Sequence, residues 1–244
     1  MANNLASDRI DKKEAVRSMF DSIAWRYDFL NHFLSFSFDR FWRKKAIKII
    51  AECKKKPAIL DVATGTGDLA FAAMKLDPSV ITGIDISGKM LNIARKKAGK
   101  KGLSEKIDFL QADSEDLPFN DNSFDTVMVA FGIRNFSDPL KGLCEMKRVL
   151  RNEGMIMVLE FSKPTGIVFG PVYNFYFRRI LPFLGKLLSK DSHAYTYLPE
   201  SVMTFPDNEK FLKMLDAAGF SNTSQTKLTG GVASIYTGIN VLMQ

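Results

Sequence analysis

The residues with the most chemistry to offer stand close together, in Asp61-Val62-Ala63-Thr64-Gly65-Thr66-Gly67-Asp68-Leu69-Ala70. Gly65 and Gly67 flank a single residue, a spacing that lets the backbone turn tightly and lets a ligand approach bare amides. The apolar residues from Ile59 read as a short strand, and Leu69-Ala70 as the opening of a helix. The loop amides would then sit at a helix N-terminus, where the dipole favours an anion. The run also satisfies the loose dinucleotide pattern G-x-G-x-x-A, with Ala70 in the last place. Asp61, four residues before the first glycine, separates the candidate ligands. A carboxylate there repels a pyrophosphate and attracts an ammonium. S-adenosylmethionine (SAM), which carries an ammonium, a carboxylate and a sulfonium, fits that arrangement better than a dinucleotide.

Two more acids are spaced for the same ligand. Asp85 closes the apolar run Val80-Ile81-Thr82-Gly83-Ile84 and falls 18 residues after Gly67, near the ~20 expected of a carboxylate that binds ribose hydroxyls. Asp113 follows the strand-like Ile107–Ala112 and could accept from an adenine amino group; capping its own loop is the other reading. Acids at three successive strand ends form a stronger signal than any one of them, because open α/β sheets bind ligands at that edge.

The elements that must position these residues alternate between strand and helix. Ser87 can cap a helix with Met90, Leu91, Ala94 and Ala98 at helical spacing and Gly99 as its stop. Ser123–Ala130 reads as a strand, Pro139–Leu150 as an amphipathic helix, and Met155–Phe161 as a doubly covered strand after a break at Gly154. Glu209–Ala218 predicts a helix ended by Gly219, followed by strands near Ser224–Leu228 and Ser234–Leu242. The alternation predicts a Rossmann-like doubly wound α/β sheet. The two final strands, joined without a helix, place an antiparallel pair at one edge. The expected architecture is the class I methyltransferase fold: seven strands, mostly parallel, with an antiparallel edge strand and aromatic-rich helical covers. Its parts would be an N-terminal cover (1–56), a SAM-binding core (57–163), an aromatic and basic insertion (164–205) and a closing helix with edge strands (206–244). The covers are marked by Phe20, Trp25, Tyr27, Phe29, Phe33, Phe36, Phe38, Phe41 and Trp42, and by a block around Phe169, Tyr173, Phe175, Tyr176, Phe177, Arg178, Arg179 and Phe183. Such aromatics need burial; together they could roof an apolar acceptor pocket or rest on a membrane surface.

Composition bounds the reading. The chain has 244 residues, 46% of them hydrophobic and 25% charged, with a net charge of +7, values of an ordinary globular protein that favours anionic partners. Arg95, Lys96, Lys97, Lys100 and Lys101 read as a solvated helix end. Cys53 and Cys144 stand apart, without C-x-x-C spacing or a histidine cluster, so neither a zinc site nor a disulfide is expected. The polar start is no secretory signal, and no run reaches the ~18 apolar residues of a membrane span. A cytoplasmic protein, peripheral at most at the inner face of the membrane, is the expectation.

From about Phe20 to the end, the chain resembles the UbiE/MenG family of quinone C-methyltransferases. The resemblance is carried by Met19-Phe20-Asp21-Ser22-Ile23-Ala24-Trp25-Arg26-Tyr27-Asp28, by Asp61–Leu69, by Leu117-Pro118-Phe119, by Phe131-Gly132-Ile133-Arg134-Asn135, by Leu159-Glu160-Phe161-Ser162-Lys163-Pro164 and by Ala217-Ala218-Gly219-Phe220. It implies SAM contacts at Thr66, Asp85, Asp113 and Ser114. It also implies methylation of a ring carbon of demethylmenaquinol, and in some members of a ubiquinone precursor. The acceptor would be a lipophilic quinol with an isoprenoid tail, with transient membrane-surface contact, no nucleic acid, and a homodimer left open. Two departures are visible: Ala130 stands where relatives often have Ser, and Arg151-Asn152-Glu153-Gly154 replaces the usual K-P-G-G turn.

Methyl transfer to a ring carbon needs an aligned nucleophile and a site that accepts a proton or stabilises a phenolate. Arg134 and Asn135, at the mouth of the fourth strand, are placed for this: Arg134 to hold the oxyanion, or, as the resemblance also implies, to act as base through a water. Arg keeps its proton under ordinary conditions, which favours the first role; tying down its own loop is the structural alternative. Tyr27 could complete the set. His32 and His193 stand alone and read as structural. A non-catalytic dinucleotide-binding module is the rival from another class, and a nucleic-acid methyltransferase lacks an N-P-P-Y-like string.

Overall fold

The computed structural model of the chain describes residues 2–35, 37–164 and 193–241. Seven strands form one sheet: β1 (Ala58–Val62), β2 (Val80–Asp85), β3 (Ile107–Gln111), β4 (Phe124–Ala130), β5 (Leu150–Phe161), β6 (Ser221–Leu228) and β7 (Ala233–Ile239). Their order is β3-β2-β1-β4-β5-β7-β6. β1 through β5 pair in parallel, while β7 runs against both β5 and β6. The antiparallel pair stands at the edge as expected. Within it the reversed strand is β7, inserted one place in, so that the edge strand β6 points the same way as the first five.

The strand order reverses between β2 and β4 around β1, which opens a crevice at the carboxyl ends, where such sheets bind ligands. Side chains alternate faces along each strand. On one face Leu60, Val62, Val127, Val129, Ile156 and Val158 pack against α6 (Pro139–Val149) and the late helix α8 (Glu209–Ala217). On the other, Ile59, Met128, Met157 and Leu159 pack against α3 (Phe38–Cys53) and α4 (Asp68–Ala73). Asp61 shares the Ile59 face by register, so it is turned toward the buried side of α3.

Local signals account for the element ends. The Ser87 side chain accepts from the Met90 amide and caps α5 (Gly88–Lys100); the Asp138 side chain accepts from Lys141 at the start of α6, with Pro139 in its first turn. Gly219 adopts φ +86 just past α8. The expected stop at Gly99 is displaced: α5 continues to Lys100, and the left-handed turn falls at Gly102. Gly154 does not interrupt β5 either, since the strand starts at Leu150 and absorbs the irregularity as a shift of register against β4.

Three helices precede the sheet: α1 (Ala2–Ile23), α2 (Tyr27–Leu34) and α3. α1 lies on α5 and meets α7 (His193–Thr204). The burial expected for the first aromatic block is selective. Trp42 is 2% exposed and its indole donates to Thr229 Oγ1, whereas Trp25, Phe29, Phe38 and Phe41 project outward. Phe36, and the second block from Phe169 to Phe183, lie outside the described residues.

Candidate functional site

A cavity of about 710 Å³ lies over the carboxyl ends of β1, β2 and β4 and is closed from above by α1 and Tyr27. Gly65, Asp85, Asp113, Ser114, Asn135 and Tyr27, all singled out from the sequence, line it. A smaller cavity of about 360 Å³ adjoins it, sharing Tyr27, Ala63 and Gly65, and is lined in addition by Asp61 and Thr66.

The glycine loop explains the shape of both. Gly65 and Gly67 have φ of +58 and +88, a left-handed backbone that disfavours any side chain. At Gly67 an added Cβ would also stand 2.9 Å from the Phe71 ring. The Gly65 amide, which the sequence suggested would face an anionic ligand, donates instead to Asp85 Oδ2 at 2.8 Å, while Asp85 Oδ1 accepts from the Ser87 amide at 2.8 Å. The loop is thus pinned by the acid that closes β2. Burial raises the Asp85 carboxyl to about 6, against these two amides, which lower it.

Asp61 is 1% exposed. Its Oδ2 accepts from Thr64 Oγ1 at 2.6 Å, and its Oδ1 is buried without a partner among the described residues. Burial raises this carboxyl to about 7, with the Thr64 hydroxyl, the nearby Ala70 amide and the Arg43 charge working the other way. An orphaned carboxylate oxygen at a cavity wall is the feature a bound ammonium would satisfy. The residues present therefore fit SAM.

Other site residues carry partners that sequence alone did not supply. The Thr66 hydroxyl donates to Asp28, from the Tyr27-Asp28 pair. Lys97, read as part of a solvated basic end, bridges Asp28 at 2.9 Å and Asp68 at 2.5 Å and ties α5 to the loop. Asp113 caps its own loop, the second of its two readings, through Oδ1, which accepts from the Glu115 amide, while Oδ2 pairs with Lys13 of α1 at 2.7 Å. His32, read as structural, hydrogen-bonds through Nδ1 to Asp39 at 2.8 Å.

Arg134 stands behind the cavity wall rather than on it. Its side chain is 7% exposed and pairs at 2.9 Å with Glu160, which is fully buried; Nη1 also donates to the Phe131 carbonyl. This is the anchoring geometry of the structural alternative. Burial raises the Glu160 carboxyl, opposed chiefly by the Arg134 charge. The same charge reaches the cavity indirectly. Burial raises Tyr27 and Tyr197, and Arg134 opposes the rise at both. Tyr197 of α7 donates to Asn135 Oδ1 at 3.1 Å, which places an unforeseen hydroxyl against a residue of the larger cavity's wall. Glu160 and Tyr197 were missed for different reasons. Glu160 sits inside the Leu159–Pro164 string already singled out, whereas nothing local marks Tyr197.

Gly132 shows why the loop after β4 is built as it is. A Cβ there would stand 2.5 Å from the Ala63 Cβ, so the loops after β1 and β4 approach closely enough to shape one continuous wall. Ala130, at the departure from the usual Ser, contributes a methyl group to both cavities.

A model of the ubiE/COQ5 methyltransferase family matches residues 8–240. A protein of Geotalea daltonii named ubiquinone/menaquinone biosynthesis C-methyltransferase UbiE is 47% identical over 230 residues, 93% of this chain and 97% of that protein. A demethylmenaquinone methyltransferase of Bacteroides fragilis is 46% identical over 227 residues, 93% of this chain and 92% of that one. Among solved structures, a SAM-dependent methyltransferase of Thermotoga maritima superposes with a TM-score of 0.66 at 18% identity, covering 92% of this chain and 99% of that one. The [4+2]-cyclase SpnF superposes at 0.61 with 20% identity, over 82% and 81% of the two chains. Such likenesses carry the fold, and function has to be argued from the site.

Proposed function

Since the chain belongs to the ubiE/COQ5 methyltransferase family, we propose that it is a SAM-dependent C-methyltransferase acting on the quinol ring of demethylmenaquinol in menaquinone biosynthesis. The observation that carries this reading is the row Asp61, Asp85 and Asp113 along one crevice, beside Tyr27 and Asn135, the latter held from behind by the Tyr197 hydroxyl. Relatives named for this activity, at 44–47% identity, support the substrate class.

SAM, when bound, supplies a methyl carbon on a sulfonium leaving group. The chain's residues would do the rest. Asp85 would accept from the ribose hydroxyls, Asp113 and Ser114 would face the base, and Asp61 would face the ammonium. On the acceptor side the quinol ring must be held with its reacting carbon toward the methyl group, so positioning is a large share of the rate. Tyr27 and Asn135 would hydrogen-bond the ring oxygens. Arg134, fixed by Glu160, would make the surroundings of a developing phenolate less unfavourable through Tyr27 and Tyr197, acting as a positioning and electrostatic residue without touching the acceptor. The proton lost from the methylated ring carbon would pass to solvent water.

No helix among the described residues is long and apolar enough to cross a membrane. Trp25, Phe38 and Phe41 are exposed on the N-terminal cover, which supports contact with a membrane surface, where a polyprenyl substrate resides. Radiolabelled SAM, offered with demethylmenaquinol and in parallel with 2-methoxy-6-polyprenyl-1,4-benzoquinol, tests the reading. Label in menaquinol is expected. Label in the benzoquinol alone would move the substrate assignment, and label in neither would remove the function.

A further inference from the structure

Arg43 lies on the buried face of α3 and lines the smaller cavity together with Asp61, near enough for its charge to act on that carboxyl. Its side chain is 9% exposed. It is held in place by Asp39, one turn earlier on the same helix, which Ser35 Oγ and His32 Nδ1 also engage, at 2.7 and 2.8 Å. Nη1 makes that contact and lies 3.7 Å from Asp68. Among the described residues no hydrogen bond uses Nε or Nη2. A guanidinium offers five donors in a rigid plane and matches a carboxylate in two-point fashion. A desolvated one with open donors at a cavity wall is therefore poised for an anion.

The cavity's remaining charges fix what kind of anion. Among its described lining residues, Arg43 is the one basic side chain, and Asp61 lines the same space with one carboxylate oxygen buried and without a hydrogen-bond partner among the described residues. Asp68, the other acid there, is already matched by Lys97. A cation site and an anion site across one small cavity describe a receptor for a zwitterion, and the α-amino acid end of SAM is one.

We propose that Arg43 binds the carboxylate of the cofactor's amino-acid end, with Asp61 on its ammonium, so that this cavity selects SAM over analogues lacking the carboxylate. The proposal rests on the SAM reading above and adds to it a residue that lies far from the glycine loop in sequence. Because α3 is the last helix of the N-terminal cover, it also makes that cover part of the cofactor site rather than a lid over the acceptor alone.

Titration calorimetry with SAM and with decarboxylated SAM, which keeps the amine and sulfonium, tests it. The native chain is expected to bind SAM about 10- to 100-fold tighter, the range of a charge-assisted pair. In Arg43→Met the two affinities should converge, with decarboxylated SAM bound about as well as by the native chain. Arg43→Lys, which keeps the pair with Asp39, should retain only part of the preference. Asp61→Asn should weaken both ligands together and leave their ratio intact. A native chain that binds both ligands equally, or an Arg43→Met chain with the native preference, overturns the proposal. A native chain that binds neither overturns the SAM reading itself. Melting curves accompany each variant, and if Arg43→Met does not fold, the native ratio and the Arg43→Lys ratio decide the matter.

Discussion

Asp61→Asn is the most informative single change, because it alters a stability and an affinity in opposite directions. Asp61 is fully buried and its carboxyl is raised from 3.8 to about 7. A folded pKa above the unfolded one means that the folded chain holds this proton more tightly. Stability from this group is then fully present below about 4, declines as pH rises toward 7, and is gone above it. The gap is about 3 units, and at 1.36 kcal/mol per unit the ionised acid costs the ligand-free chain about 4 kcal/mol above pH 7. The uncharged Asn, which can still accept from Thr64, removes that cost. The variant without ligand should be more stable than the native chain at pH 8 by a few kcal/mol and no more stable at pH 4.5. Taking the difference between the two chains removes the contribution of Glu160, whose carboxyl is also raised, and leaves that of Asp61 together with its repulsion from Asp85.

Binding should move the other way. An ammonium favours the ionised acid, so native SAM affinity should weaken about tenfold per unit as pH falls below 7, with proton release on binding near neutrality. Asn cannot pair with the ammonium, and SAM affinity at pH 8 should drop by about 1.5–3 kcal/mol. Thermal melts between pH 4.5 and 8.5, with calorimetry in two buffers of different ionisation enthalpy, read both effects. A variant no more stable than the native chain at pH 8, or one with unchanged SAM affinity, would refute the assignment of Asp61.

Three further outcomes are expected. Asp85→Ala should weaken SAM binding by about 1.5–3 kcal/mol and also loosen the glycine loop, since the Gly65 and Ser87 amides lose their acceptor; calorimetry with a melting curve measures both, and undiminished affinity would misplace the ribose site. Arg134→Ala leaves Glu160 buried without its counter-charge and should cost about 3–5 kcal/mol of stability. Arg134→Met with Glu160→Gln should recover much of that loss while keeping kcat below the native value, by less than the ~10²–10³ of a donor in direct contact, and a native single-turnover rate in the double variant would confine the pair to an anchoring role. Gly132→Ala forces the Ala63 and Val129 side chains apart and should cost about 1–3 kcal/mol together with SAM affinity, as Ala63 lines both cavities; an unchanged melting temperature would show that the two loops are not tightly apposed.

Local chemistry determined much of this protein. The apolar runs ending in Asp61, Asp85 and Gln111, the glycines at left-handed positions and the caps at Ser87 and Asp138 are each set by a few neighbouring residues, so strand ends, loop and helix starts were legible from spacing alone. The first three strand ends necessarily meet at one edge once the strands are parallel, which is why Asp61, Asp85 and Asp113 could be placed together before any fold was known. Pairings between distant segments were decided only by tertiary packing. Arg134 and Glu160 lie 26 residues apart, and whether a cation at a strand mouth faces the ligand or an acid on the next strand depends on the register of β4 against β5. Lys97 looked solvated because its partners Asp28 and Asp68 belong to other elements. Tyr197 reaches Asn135 only through the docking of α7, and Arg43 reaches the smaller cavity only because α3 covers the face of β1 that carries Asp61. A residue's type and spacing fix what it can do, while its opposite charge or its cavity is supplied by chain that sequence distance hides.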